Sequence, residues 1–273
     1  MKEKRIKGTI DMNLSISNIG WNSSDDASVY MLMKKFNYSG LEIAPTRIFP
    51  EAPYDQLEEA KAWSIKLKKQ HGFSVSSMQS IWFGRQENIF GSAEERNRLL
   101  HYTKQAIDFA KVIECRNLVF GCPRNRYMPE GVDSGTAIDF FRELGDYAAE
   151  NGTVIGMEAN PTIYNTNYIN DTASALELVK QVNSKGFLLN LDVGTMIQNE
   201  EDVSELESNV YLINHVHISE PGLKPIAERG LHKKLLKLLQ SEEYGGYISI
   251  EMEKMEDVAI LEQVMLYLKR VIE

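Results

Sequence analysis

The chain has 273 residues, 43% of them hydrophobic and 25% charged. That composition excludes wholesale disorder and collagen-like repeats, and it supplies ample apolar material for a large core. Thirty basic and 39 acidic residues leave −9 at pH 7, which repels phosphate backbones unless a basic groove exists locally. Length alone allows one α/β barrel of about 250 residues or two smaller domains. Cys115 and Cys122 are too few for a disulfide framework and lack CxxC spacing, so they read as buried thiols in a reducing compartment. The N-terminus, MKEKRIKGTIDMNLS, is basic without a long apolar stretch, and no run of about 18 apolar residues follows anywhere. The expectation is a cytoplasmic protein with no signal peptide, membrane span or membrane partner.

Taken in chain order, short runs rich in β-branched residues alternate with longer amphipathic stretches. Strand starts fall near Gly8, Gly40, Phe73, Asn117, Thr153, Phe187, Leu212 and Gly246. Their spacing, roughly 25 to 44 residues, fits one crossover helix and two loops each time. Helices are predicted over 55–70 (Leu57, Ala60, Trp63, Ile65, Leu67), 93–113 (Leu99, Leu100, Ala106, Phe109, Ala110, Ile113), 134–150 (Ile138, Phe141, Leu144, Ala148) and 257–272 (Val258, Leu261, Val264, Leu268, Ile272). The sixth unit is the weakest, with only a short helix over 202–210. The runs LEIA, LVFG, VIGME, FLLNLD and ISIEM stay apolar until their last residues, as strands buried on both faces do. Eight such units suit a closed (β/α)8 TIM barrel, and no Pro/Gly/Ser-rich linker divides it, so residues 1–273 are expected to form one domain.

In this architecture function sits at the C-terminal strand ends. The polar residues there are Glu42 on the second strand, Gln79 on the third, and Glu158 with Asn160 on the fifth. The sixth ends in Asn190 and Asp192; the seventh carries His215 and His217, followed by Glu220; the eighth ends in Glu251 and Glu253. Glu158, Asp192, His217 and Glu251 lie on four successive strands, so closure brings them to one mouth. Three neighbouring carboxylates repel unless neutralised, and a divalent cation is the simplest neutraliser. One imidazole with three carboxylates suits Mn²⁺, Mg²⁺, Co²⁺ or Zn²⁺ and is too oxygen-rich for a structural zinc site. The competing reading is four independent strand-end polar residues.

The segments MEANP (157–161), NLDVGTM (190–196), HVHISEP (215–221), ISIEME (248–253) and GLEIAPTRIF (40–49) resemble the xylose isomerase-like TIM barrel superfamily, and within it the sugar phosphate isomerase/epimerase group. That resemblance implies metal ligation by Glu158, Asp192, His217 and Glu251. It also implies a sugar or sugar-phosphate isomerase or epimerase that removes a proton beside a carbonyl through a metal-stabilised enediolate. Glu158 and Glu251 would then combine ligation with proton transfer. The sequence departs from ketose epimerases in two places. Thr195 stands where they usually have a His, and SEPGLKPI lacks their Arg after the strand-seven His, with Lys224 the nearest cation.

For the implied sugar or polyol, Glu42, Gln79, Asn160 and Glu220 are candidate hydroxyl-binding residues. Trp21 and Trp82 are candidate apolar walls, and His232 is a candidate closing group. Core packing competes for the tryptophans, a charge-paired strand end for Glu42 and a surface helix start for His232. His215 reads as a packed, hydrogen-bonded residue one layer below His217. Arg47, Arg124 and Arg126 are candidate anion holders, although loop arginines are usually solvated. A dehydratase acting on an inosose or keto-sugar would use the same site. A type IV-like endonuclease, which shares the fold, is disfavoured by the acidic balance and by only five histidines. A non-catalytic metal-binding protein is a third class. No nucleic-acid partner is expected, and a homo-oligomer is compatible with the sequence.

Overall fold

Eight parallel strands close on themselves in chain order. They are β1 (Asn13–Ser17), β2 (Gly40–Ile43), β3 (Ser74–Met78), β4 (Leu118–Phe120), β5 (Ile155–Met157), β6 (Phe187–Asp192), β7 (Ile213–Ile218) and β8 (Tyr247–Ile250). The computed structural model describes residues 12–272. Closure is made by β1 against β8, with Asn13 opposite Tyr247 and Ile16 opposite Ile250. The first strand, expected near Gly8, starts inside the described residues at Asn13; positions 1–11 lie outside them. Among the described residues no helix is long and apolar enough to cross a membrane.

The crossover helices have clear local causes. Ala93–Val112 starts with a capping box, in which Ser92 accepts from the Glu95 N–H and Glu95 accepts from the Ser92 N–H. Leu57–His71 stops where Gly72 turns left-handed at φ +79°. This helix buries only Ala60 and Leu67, whereas Ile65, expected on its inner face, is 57% exposed. Gly135–Glu150 buries Phe140, Phe141, Leu144 and Ala148 against the barrel. Its Phe141 meets Phe120 edge-on at 4.8 Å and stacks on Phe187 at 4.9 Å, joining helix to β4 and β6. Burying each ring stabilises the fold by about 1.5–3 kcal/mol. In the sixth unit a short helix, Val193–Gln198, begins directly at Asp192 instead of over 202–210, where only 3-10 turns occur.

The barrel interior is polar, not a stack of branched apolar layers. Ser15, Ser76, Ser77, Asn117, Asn190 and Ser249 are all buried. Five of these side chains bond one another: Ser15 and Ser76 share a 2.6 Å hydrogen bond, and Asn117 donates to Ser77 (2.9 Å) and Asn190 (3.2 Å). Gly156 makes this possible, because a Cβ there would lie 2.6 Å from the Asn117 amide oxygen. This hydrogen-bonded layer is the floor on which the strand-end residues stand.

Candidate metal and sugar site

Register brings the strand ends to one place. On β6 and β7 Asp192 lies opposite His217, and on β7 and β8 His217 lies opposite Ser249, two residues before Glu251. Glu158 follows β5 and is tied by its N–H to the Phe120 carbonyl at 3.1 Å. Ligand-type atoms of Glu158, Asp192, His217 and Glu251 all lie within 4.8 Å of one another. His217 Nδ1 is 2.9 Å from Glu158 Oε1 and 3.1 Å from Glu251 Oε2. This donor set, three carboxylates around one imidazole, fits a hard or borderline divalent cation.

Each candidate ligand is held from behind. Asn190 donates to Glu158 Oε1 at 2.9 Å, and Asn160 donates to Oε2 at 3.2 Å. Asp192 accepts from the Ser219 hydroxyl on one oxygen, and from the Thr195 N–H and hydroxyl, both at 2.7 Å, on the other. Gln79 donates to Glu251 Oε1 at 2.9 Å. His217 Nε2 is 2.8 Å from Glu42 Oε2, and His215 Nε2 is 3.1 Å from the same oxygen. A carboxylate at Nε2 fixes the tautomer with its proton there and leaves the Nδ1 lone pair facing the cluster.

Electrostatics follows from this crowding. Burial favours a neutral imidazole, but the charges on Glu251 and Glu42 prevail and hold His217 well above its ordinary value. Burial pushes the Glu251 carboxyl up to about 7, against the opposing pull of His217. Burial and the nearby Glu158 raise Asp192, although its Ser219 and Thr195 hydrogen bonds oppose this. A proton on His217 and a cation at Nδ1 are therefore alternatives. Apparent affinity for a divalent ion should rise with pH, by roughly tenfold per pH unit for each proton displaced. Calorimetric titrations at about pH 6 and about pH 8, in two buffers of different ionisation heat, check this. Binding without proton release would contradict the arrangement.

The remaining expected residues divide. Gln79, Trp82, Asn160 and Glu220 line a cavity of about 290 Å³ together with Glu158, Asp192 and Glu251. Glu42, Trp21 and His232 do not line it. Glu42, expected at the mouth, is 0% exposed and sits beneath His217. Trp21 is buried beside β1, with its indole N–H on Asp26 (2.7 Å) and Arg47 over its ring. His232 is buried against Tyr267, with Nδ1 2.9 Å from that hydroxyl. Trp82 combines both expected roles, donating to Thr103 at 2.8 Å while one side faces the cavity. Arg126, read as a loop arginine, is fully buried and donates to the Glu158 carbonyl (2.8 Å) and Asn160 Oδ1 (2.7 Å).

The sequence reading did not single out Tyr164, which lines the cavity and accepts the Gly222 N–H at 2.8 Å. Nor did it give weight to Gly121. A Cβ there would lie 2.6 Å from Glu158 Oε2. That oxygen ends a flexible side chain, so Gly121→Ala should fold normally yet displace the carboxylate. Its thermal midpoint should stay near that of the parent while affinity for Mn²⁺ falls about tenfold or more. Equal Mn²⁺ affinity would show that Glu158 needs no such room. A larger cavity, about 1030 Å³, opens at the opposite, N-terminal end of the barrel, lined by Asn13, Asn117 and Tyr247 among others.

A family model described as xylose isomerase-like TIM barrel matches residues 32–271. No curated protein matches the chain in sequence. Among solved structures, 3-keto-D-glucoside 4-epimerase from E. coli is similar at 22% identity and TM-score 0.74, over 95% of this chain and 99% of that one. D-psicose 3-epimerase from Clostridium cellulolyticum H10, solved with D-tagatose, is similar at 16% identity and TM-score 0.75, over 96% and 99%. An AP endonuclease of family 2 from Brucella melitensis is similar at 20% identity and TM-score 0.72, over 94% and 99%. At these identities the likeness is one of fold.

Proposed function

The chain belongs to the xylose isomerase-like TIM barrel family, and on that premise we propose that it is a metal-dependent keto-sugar isomerase or epimerase. The observation that carries this reading is the convergence of Glu158, Asp192, His217 and Glu251, with the three carboxylates lining a cavity that also has apolar side chains. Two of the similar structures are described as sugar epimerases, which supports the same chemistry. A divalent cation held by the four residues supplies Lewis acidity to a carbonyl and its neighbouring hydroxyl.

The chain's own groups do the rest. Glu158 and Glu251 come from β5 and β8, three strands apart around the ring, so they approach a small substrate from different sides. One takes the proton from the carbon beside the carbonyl and the other returns it. Return to the opposite face of the same carbon gives epimerisation; return to the adjacent carbon gives aldose–ketose isomerisation. Asp192, with three donors on its two oxygens, is suited to ligation more than to proton transfer. Asn190 and Gln79 keep the two glutamates aimed, and Glu42 keeps His217 in one tautomer.

A screen in D₂O tests this reading. Metal-loaded protein is incubated with ketoses, keto-inositols and hydroxypyruvate, and deuterium at the carbon beside the carbonyl is read by NMR. Uptake is expected with at least one ketose. The product then separates inversion, isomerisation and loss of water, the last being the dehydratase outcome. No uptake on any of them would refute the proposal.

A further inference from the structure

We infer that the cavity takes an uncharged, unphosphorylated sugar, seated with a C–H face on the wall that ends in Phe83; the inference rests on the keto-sugar reading above. The first observation is the charge of the lining. It carries the carboxylates of Glu158, Asp192, Glu220 and Glu251, and among the described residues no Lys or Arg. Four guanidinium groups nearby are committed elsewhere. Arg126 is buried on the Glu158 carbonyl and Asn160, and Arg229 is paired with both oxygens of Glu220. Arg47 is paired with Asp26 at 2.7 Å, and Arg85 with Glu87. Arg124 and Lys224 are exposed and off the lining.

Three backbone donors beside the site are also engaged. The Gly194 N–H donates to Ser219 Oγ at 2.7 Å, the Thr195 N–H to Asp192 at 2.7 Å and the Gly222 N–H to Tyr164 at 2.8 Å. A phosphate ester brings about −1.5 to −2 at pH 7 and would meet carboxylates with no Lys or Arg on the lining to hold it. A neutral sugar meets no such opposition.

The second observation is the opposite wall. Trp82, Val119 and Pro123, on or after β3 and β4, give it an apolar surface, and Phe83 next to Trp82 lines the same cavity while 70% exposed. Phe83 sits in the turn after β3, its N–H on the Ser80 carbonyl, so the backbone fixes where the ring starts. An exposed aromatic continuous with a site's apolar wall offers surface that a sugar's C–H face can cover.

The test is calorimetric titration of the metal-loaded protein with D-fructose and D-tagatose and with their 6-phosphates. The free sugars should bind at least about tenfold more tightly than the esters. Phe83→Ala should weaken the free sugars by about 2- to 10-fold, and Phe83→Lys should narrow the gap by strengthening the esters. Both variants change an exposed residue and should fold as the parent does. Esters binding as well as free sugars, or binding of neither, would overturn the inference. Free-sugar binding without deuterium uptake would uphold it while sinking the keto-sugar chemistry.

Discussion

Replacing Glu158 or Glu251 by Gln is expected to leave the barrel folded and to lower turnover by about 10²–10⁴-fold in each case, the usual worth of a positioned acid or base. Gln keeps the size and one oxygen but removes the basic carboxylate. The two variants should fail differently. Where abstraction is lost, deuterium uptake and product fall together. Where only reprotonation on the far side is lost, uptake survives and product does not. Each variant should therefore be assayed both ways, at metal concentrations that saturate it. Asn190 and Gln79 donate to the two carboxylates, so each variant's thermal midpoint should be compared with the parent's to separate lost chemistry from disturbed support. Near-normal turnover in both metal-loaded variants would eliminate a two-glutamate mechanism.

The second large effect is expected directly behind the candidate metal ligands. Glu42 is fully buried, and its carboxylate faces Nε2 of both His215 and His217. Burial opposes its charge, but His217 and His215 more than compensate and hold the carboxyl well below the usual range. Glu42→Gln keeps the shape and weakens the acceptor for the His217 Nε2 proton. Affinity for a divalent cation should fall about 10–100-fold, the usual worth of a partner behind a metal-ligating histidine. Glu42→Asp, which retains the charge at a shorter reach, should recover part of it. Nitrogen chemical shifts of labelled histidine would report the tautomer directly. A Gln variant with parental affinity and an unchanged Nε2–H tautomer would show that Glu42 merely fills space.

These residues also mark what the sequence discloses. The eight-unit alternation was readable because buried parallel strands are apolar on both faces and their helices on one. The polar strand-end residues were readable for the same reason, since each interrupts an apolar run. Depth was not readable. Strands in a barrel are tilted and staggered, so equivalent strand ends stand at different heights. Glu42 pairs with Ser17 and Ser77 and lies under His217, although its place at the end of an apolar run matches that of Glu251. Burial of Arg126 was hidden because its partners, the Glu158 carbonyl and Asn160, lie 32 and 34 residues away. Trp21, a candidate apolar wall, is instead packed in the core, where Asp26 five residues on takes its indole N–H. The helix at Val193–Gln198 was missed because its cap, Asp192, is also the last residue of β6, so strand and helix meet with no intervening turn signal.

On the proposed reading, four residues at the ends of β5 to β8 hold one divalent cation. Anomalous diffraction from crystals grown with Mn²⁺ tests it most directly. A single strong peak is expected, with oxygens of Glu158, Asp192 and Glu251 and Nδ1 of His217 about 2.0–2.4 Å away. A peak elsewhere, one lacking any of the four ligands, or none at saturating Mn²⁺ would contradict it.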